Sequence, residues 1–394
     1  MAMISSDEIL EKLVGFATVS RTPNVELIEY VRSLLAGSGI DSRVVGSEDG
    51  RNLNLHAHVG PPGKPGVMLS GHTDVVPVKG QPWTREAFSM TRTDGRLYGR
   101  GTTDMKGFVA SAVRAMLMAA DRNLAVPLQL ALSYDEEIGC VGVRSLIDLL
   151  ATADVRPWLC IVGEPTELKV ATGHKGKTAV RVTCTGKEAH SALAPAGLNA
   201  IYLATEFIGV LQEEQQYLLQ NGGSDKDYDV PYSTIHVGKI QGGVALNIVP
   251  RECVLDFEIR NLAADNPEDI LNRITLQAQQ MTERVSALFP GTGITMEVFN
   301  TYPGLDTDRS STAVSFVQSL AETKTTSKVA FGTEGGLFSG KLGVPTVVCG
   351  PGSMDQGHKP DEFLTVEQLD RCDLMMARLL DRLSEGQAVQ AIVG

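Results

Sequence analysis

Five separated positions carry side chains of the kind that hold metal ions: His72, Asp104, Glu137, Glu164 and His358. Each lies in a Gly- or Pro-flanked stretch beside a strand-like or helix-like segment. Two imidazoles and three carboxylates make a hard-to-borderline donor set, suited to Zn2+, Co2+ or Mn2+ and unlike a thiolate site. Two ions sharing one bridging carboxylate would use such a set and leave positions for water. Asp74, two residues beyond His72, offers a carboxylate to the imidazole's other N–H, which would fix its tautomer. The adjacent pair Glu136-Glu137 has two arrangements open to it. On a strand, neighbouring side chains point to opposite faces, so one carboxylate would ligate while the other faces a substrate. In a turn, both would converge. A glutamate beside a metal-bound water is placed as a general base.

Taken singly, these residues have plainer readings. A lone His-x-Asp is most often two polar loop residues, and Asp135-Glu136-Glu137 alone would be a solvated charge cluster. His56, His58, His174 and His236 read as structural or surface histidines. The joint arrangement separates the five positions from this background, because strand after strand ends in a ligand-type residue. Val67–Ser70, Leu128–Ser133 and Trp158–Val162 are short apolar runs, followed by His72, by Glu136-Glu137 and by Glu164. In open α/β sheets the C-terminal edge of the strands is where ligands bind.

Around these strands the apolar spacing predicts helices over Met1–Phe16, Asn24–Ser38, Met105–Asn123 and Thr365–Leu383. Between them the pattern changes. Strand-like Thr178–Thr185 is followed by a helix over about Asn199–Leu219. Strands Ser233–Ile240 and Cys253–Ile259, a helix over Pro267–Leu288 and a strand Gly293–Phe299 complete the order β-α-β-β-α-β of a ferredoxin-like domain. The α/β pattern returns with the buried strand Val344–Gly350, so the middle domain is inserted. The expected boundaries are 1–175 and 301–394 for an α/β catalytic domain in two parts, and 176–300 for the insert.

The chain has 394 residues, 43% hydrophobic and 21% charged, ordinary for globular domains with full cores. Lys and Arg number 35 against 47 Asp and Glu, a net charge of −12. That balance argues against a nucleic-acid partner and against docking on anionic lipid, both of which need a positive footprint. A small-molecule partner remains. The six cysteines stand singly among mostly apolar neighbours, as buried small hydrophobes of a reducing compartment do. With no basic-then-apolar leader pattern at the N-terminus, the expected location is cytoplasmic.

The stretches Ser70-Gly-His-Thr-Asp-Val-Val-Pro77, Tyr98-Gly-Arg-Gly-Thr-Thr-Asp-Met-Lys-Gly107, Ser133-Tyr-Asp-Glu-Glu-Ile-Gly139, Gly163-Glu-Pro-Thr166 and Gly357-His358 resemble the di-zinc amidohydrolases. That family includes acetylornithine deacetylase, succinyl-diaminopimelate desuccinylase, aminoacylases and glutamate carboxypeptidases. The resemblance spans nearly the whole chain, in five ordered motifs. Thr102–Phe108, Gly173–Gly176 and Glu188–Ser191 look most like the acetylornithine deacetylase branch. The resemblance implies a zinc-peptidase-like α/β catalytic domain with an inserted ferredoxin-like dimerisation lid. It implies two divalent ions, Zn2+ first and Co2+ as a substitute. His72 and Glu164 would bind one, Glu137 and His358 the other, and Asp104 would bridge them. Glu136 would be the general base and Asp74 the partner of His72. His190 would reach the partner subunit's active site in a homodimer and help hold the oxyanion. Asn247 and Arg260 would face the substrate carboxylate. Thr333 and Glu334 lie in Phe331–Gly336, where the family has a substrate-contacting loop. Glu334 stands where many relatives carry Asp, so it would either recognise a substrate ammonium or be structural. The expected activity is hydrolysis of N2-acetyl-L-ornithine to L-ornithine and acetate. The rivals are another N-acyl amino-acid substrate, a desuccinylase, or, more remotely, a non-catalytic binding relative.

Overall fold

A computed structural model describes residues 4–385. It divides into two compact units. The first takes in the described residues of Met1–Gly173, Leu305–Lys328 and Thr333–Gly394, and the second is His174–Gly304 with Val329–Gly332.

The first unit is built on a nine-stranded mixed sheet. Its four middle strands lie in the order Leu128–Ser133, Val67–His72, Leu159–Pro165 and Thr346–Gly350, each parallel to its neighbour. Every residue of these four strands is buried. Parallel strands are covered on both faces, which is why they read as continuous apolar runs rather than alternating ones. Leu53–Val59 joins antiparallel on one side, with Ser42–Gly46 beyond it. Helix Gly107–Ala120 packs with Ser6–Gly15 and Val366–Glu385, burying Phe108, Val113, Met116, Met375 and Leu379.

The predicted helices begin and end close to their signals. Ser5 caps Ser6–Gly15 in a reciprocal capping box with Glu8, which satisfies otherwise orphan N–H groups of the first turn. Met1–Met3, the start of the expected first helix, lie outside the described residues. The helix expected from Met105 instead starts at Gly107, preceded by a distorted turn over Thr102–Lys106. No helix among the described residues is long and apolar enough to cross a membrane.

The second unit carries Lys177–Thr185, Ala200–Asn221, Thr234–Gly242, Glu252–Arg260, Pro267–Leu288 and Gly293–Tyr302. Its four strands form an antiparallel sheet in which Lys177–Thr185 lies between Glu252–Arg260 and Gly293–Tyr302, with Thr234–Gly242 at the far edge. The two helices bury Phe207, Leu211, Ile274 and Met281 against Val180, Val182, Leu255 and Phe257. Burial alternates along Glu252–Arg260, as it must for a sheet with one covered face. This is the split β-α-β arrangement of a ferredoxin-like fold.

Candidate metal centre

The parallel strands of the first unit deliver most of the candidate ligands to one edge of the sheet. His72 is the last residue of its strand, and Glu164 is the penultimate residue of Leu159–Pro165. Glu136 and Glu137 follow Ser133 by a turn that begins at Asp135, whose φ is +54°. The turn decides the arrangement of this pair: both carboxylates converge on the cluster. His358 comes from the loop after Thr346–Gly350. Asp104 comes from the distorted turn ahead of helix Gly107–Ala120.

Asp104 sits at the middle. Its Oδ1 is 3.1 Å from His72 Nε2, and its Oδ2 is 3.0 Å from His358 Nε2. His72 Nε2 is also 3.6 Å from Glu164 Oε1, and His358 Nε2 is 3.0 Å from Glu137 Oε2. These separations match the edges of a coordination tetrahedron with metal–ligand bonds of ~2.0 Å. Ligand atoms of His72, Glu136 and Glu164 lie within 4.8 Å of one another, as do those of His72, Asp104 and Glu137. Asp104, Glu164 and Glu136 are buried, and His72 is 1% exposed.

The electrostatics fit a cationic occupant. Burial pushes Glu136 and Glu164 well above the ordinary carboxylate range, and neighbouring carboxylates add to it. Burial likewise raises Glu137, with Asp104 beside it. Asp104 is held low despite its burial by hydrogen bonds to His358 and His72. Burial alone would lower His72, but Glu164, Asp104 and Asp74 more than reverse it. Contact with Asp104 and Glu137 lifts His358 to about 10. So many carboxylates cannot share a low-dielectric site as anions without positive charge among them. Together with the imidazoles, this donor set suits two divalent cations.

Asp74 meets His72 through its main-chain carbonyl as well as its carboxylate. His72 Nδ1 is 2.9 Å from the main-chain carbonyl of Asp74 and 3.5 Å from its carboxylate. The carbonyl contact sets the tautomer that leaves Nε2 for a ligand. The carboxylate accepts the N–H groups of Glu136 and Glu137 at 3.0 and 3.3 Å and the Ser20 hydroxyl at 2.8 Å. It therefore holds the turn that carries both glutamates.

Thr333 and Glu334 are buried, at 0% and 1% exposure. Ser133 and Ser70 donate to the Glu334 carboxyl at 2.5 and 3.4 Å. Thr333 Oγ1 accepts the Gly335 N–H. Both residues are buried away from solvent, and Glu334 is held by the two serines of the strands that carry His72 and the glutamate turn. The remaining candidates are in the second unit. His190 is exposed and its Nδ1 accepts the Ala192 N–H, and Asn247 is exposed. Arg260 is paired with Glu258 at 3.0 Å and donates to the Tyr302 hydroxyl at 2.9 Å. His56 lies against Gln129, His174 is buried and His236 is exposed.

Four contacts of the centre were not legible in the sequence. The Cys140 thiol donates to Glu136 Oε1 at 3.4 Å. Met105 Sδ receives the His72 N–H. Glu362 accepts from the main chain at Asp104, and Arg100 pairs with Glu362. Only Arg100 had a signal, its place between Gly99 and Gly101. All six cysteines are buried and unpaired. Gly163, next to Glu164, has no room for a side chain, because a Cβ there would sit 1.9 Å from the Phe108 ring.

The family model described as Peptidase family M20/M25/M40 matches residues 68–382. Acetylornithine deacetylase of Pasteurella multocida is 33% identical over 364 residues, 92% of each chain. Acetylornithine deacetylase of Myxococcus xanthus is 33% identical over 383 residues, 96% of this chain and 97% of its own. The structure of an M20 family metallo-carboxypeptidase from Sulfolobus solfataricus superimposes with a TM-score of 0.77 at 21% identity, covering 97% of this chain and 99% of that one.

Proposed function

The chain belongs to peptidase family M20/M25/M40, and from that membership we propose that it is a di-metal deacylase whose substrate is N2-acetyl-L-ornithine. The observation that carries the two-metal reading is Asp104, whose two oxygens each face a different imidazole. The substrate is supported by the two relatives named above.

His72 and Glu164 would hold one ion, Glu137 and His358 the other, and Asp104 would be shared. Bound there, two divalent ions, zinc or cobalt, supply Lewis acidity toward the acyl carbonyl and a more acidic water. Glu136 takes the proton from the attacking water and returns it to the departing amine nitrogen. The Cys140 thiol on Oε1 leaves Oε2 of Glu136 for that proton. Asp74 keeps the base in place through the main-chain N–H groups of Glu136 and Glu137. The products are acetate and L-ornithine. Substrate contacts by His190, Asn247 and Arg260, and a homodimer formed through the second unit, are supported by the family resemblance.

The test is kcat/KM with Zn2+ or Co2+ on N2-acetyl-L-ornithine, N-acetyl-L-methionine, N-acetyl-L-citrulline and N-succinyl-L,L-diaminopimelate. A clear preference for the first supports the reading. Preference for another keeps the hydrolytic chemistry and replaces the substrate. Turnover of none by metal-loaded protein overturns the deacylase reading.

A further inference from the structure

Arg100 and Glu362 are each 1% exposed and pair at 2.6 Å directly behind the metal centre. A buried ion pair rarely repays its desolvation by attraction alone, so what else it holds is informative. Glu362 Oε1 accepts the N–H groups of Thr103 and Asp104, at 2.9 and 3.1 Å, and Oε2 accepts that of Gly101 at 3.1 Å. One carboxylate thus ties down the turn that presents Asp104.

Arg100 reaches the other way. Its Nη1 donates to the Lys359 carbonyl at 3.3 Å, and its Nη2 donates to Gln81 Oε1 at 2.5 Å. Gln81 Nε2 in turn donates to the main-chain carbonyl of His358 at 2.8 Å. Trp83 steadies this arm: its Nε1 donates to Gln81 Oε1 at 3.0 Å, and its ring lies 4.9 Å from the guanidinium. Beyond the contacts of its Nε2 with Asp104 and Glu137, His358 has a half-exposed side chain and a left-handed backbone at φ +59°. That conformation is uncommon outside glycine and is held here by its neighbours.

We infer that Arg100 and Glu362 form a positioning pair that sets the distance between Asp104 and His358, with Gln81 as the arm that reaches only the His358 side. The inference rests on the two-metal reading above. It separates two roles: Glu362, paired with Arg100, acts on the shared ligand and so on both ions, whereas Gln81, with the Arg100 bonds to Gln81 and Lys359, acts on the ion held by Glu137 and His358.

The full-length protein is equilibrated with graded free-Zn2+ buffers and its metal content per chain is measured, with thermal unfolding recorded alongside. The wild type is expected to take up two ions. Gln81→Ala removes a half-buried side chain and should unfold like the wild type. It and Arg100→Lys should keep one ion at wild-type free Zn2+ and need about 10–100-fold more for the second. Glu362→Gln should weaken both. Folded Gln81→Ala and Arg100→Lys proteins that hold both ions at wild-type free Zn2+ would overturn the positioning role. A wild type that takes up fewer than two ions would overturn the two-metal reading and this inference with it. A wild type that holds two ions but hydrolyses no amide of the panel, with the variants behaving as expected, would leave the pair standing and sink only the deacylase reading.

Discussion

The two imidazoles of the centre are positioned by different means. His72 ends a fully buried parallel strand, is 1% exposed, and has its Nδ1 against the Asp74 carbonyl. Its place follows from the sheet's hydrogen bonds. His358 lies eight residues beyond the end of its strand, on a left-handed loop residue whose side chain is 44% exposed. Its place depends on side-chain bonds to its own carbonyl and its neighbour's. A ligand on a strand end inherits the rigidity of the sheet, while a ligand on a loop needs a network built for it.

The comparison can be tested from its strongest consequence downward. Glu136→Gln should leave both ions bound while lowering kcat by about 100- to 10,000-fold, the usual worth of a general base. Metal analysis beside steady-state rates checks this, and near-normal turnover would remove Glu136 from its role. Arg100→Met leaves Glu362 buried and unpaired, and breaking such a pair costs about 3–5 kcal/mol. Urea unfolding of the metal-free protein measures it. A loss below ~1 kcal/mol would mean that the loop side is held by something else.

The strand side has its own buried acid. Burial raises Glu334 to about 7 from the usual 4.5, against the Ser133 bond and the His72 charge. The folded state therefore keeps a proton that the unfolded chain gives up above about 4.5. The resulting stabilisation is complete below that pH and is lost as pH rises through 7. In the metal-free protein, Glu334→Gln should gain on the wild type by up to about 3 kcal/mol between pH 4.5 and pH 8. A flat difference across that range would contradict a protonated Glu334 behind the strand ends. The smallest expected effect is in metal release. Under a chelator the ion on the His358 side should leave about 10-fold sooner than the ion on the His72 side, because its imidazole is half-exposed. Stopped-flow release with a metal indicator reads this as two phases, and a single phase for both ions would erase the difference.

Much of the fold was legible because burial leaves local signatures. Apolar runs without alternation mark the middle strands, and alternation of Val180, Val182 and Cys184 with polar residues marks Lys177–Thr185 of the second unit. Helix Pro267–Leu288 spans its expected range, since Asn266 caps it and Pro267 suits the first turn. The helix expected from Met105 starts two residues later, at Gly107, because the Thr102–Lys106 turn is shaped by Glu362, which lies 258 residues from Asp104. Local spacing cannot report a partner at that separation.

The sequence by itself determined the donor types, the strands that end in them and the order β-α-β-β-α-β, because these depend on residue chemistry and short-range periodicity. Only the tertiary structure decided that Glu136 and Glu137 converge, that Asp104 faces one imidazole with each oxygen, and that Asp74 holds the glutamate turn while its carbonyl meets His72. It also turned Glu334 inward and brought Arg100 and Glu362 behind the centre. Those outcomes rest on which segments the parallel sheet sets side by side. They also rest on the cost of leaving buried polar groups without partners, a cost that only the folded chain imposes.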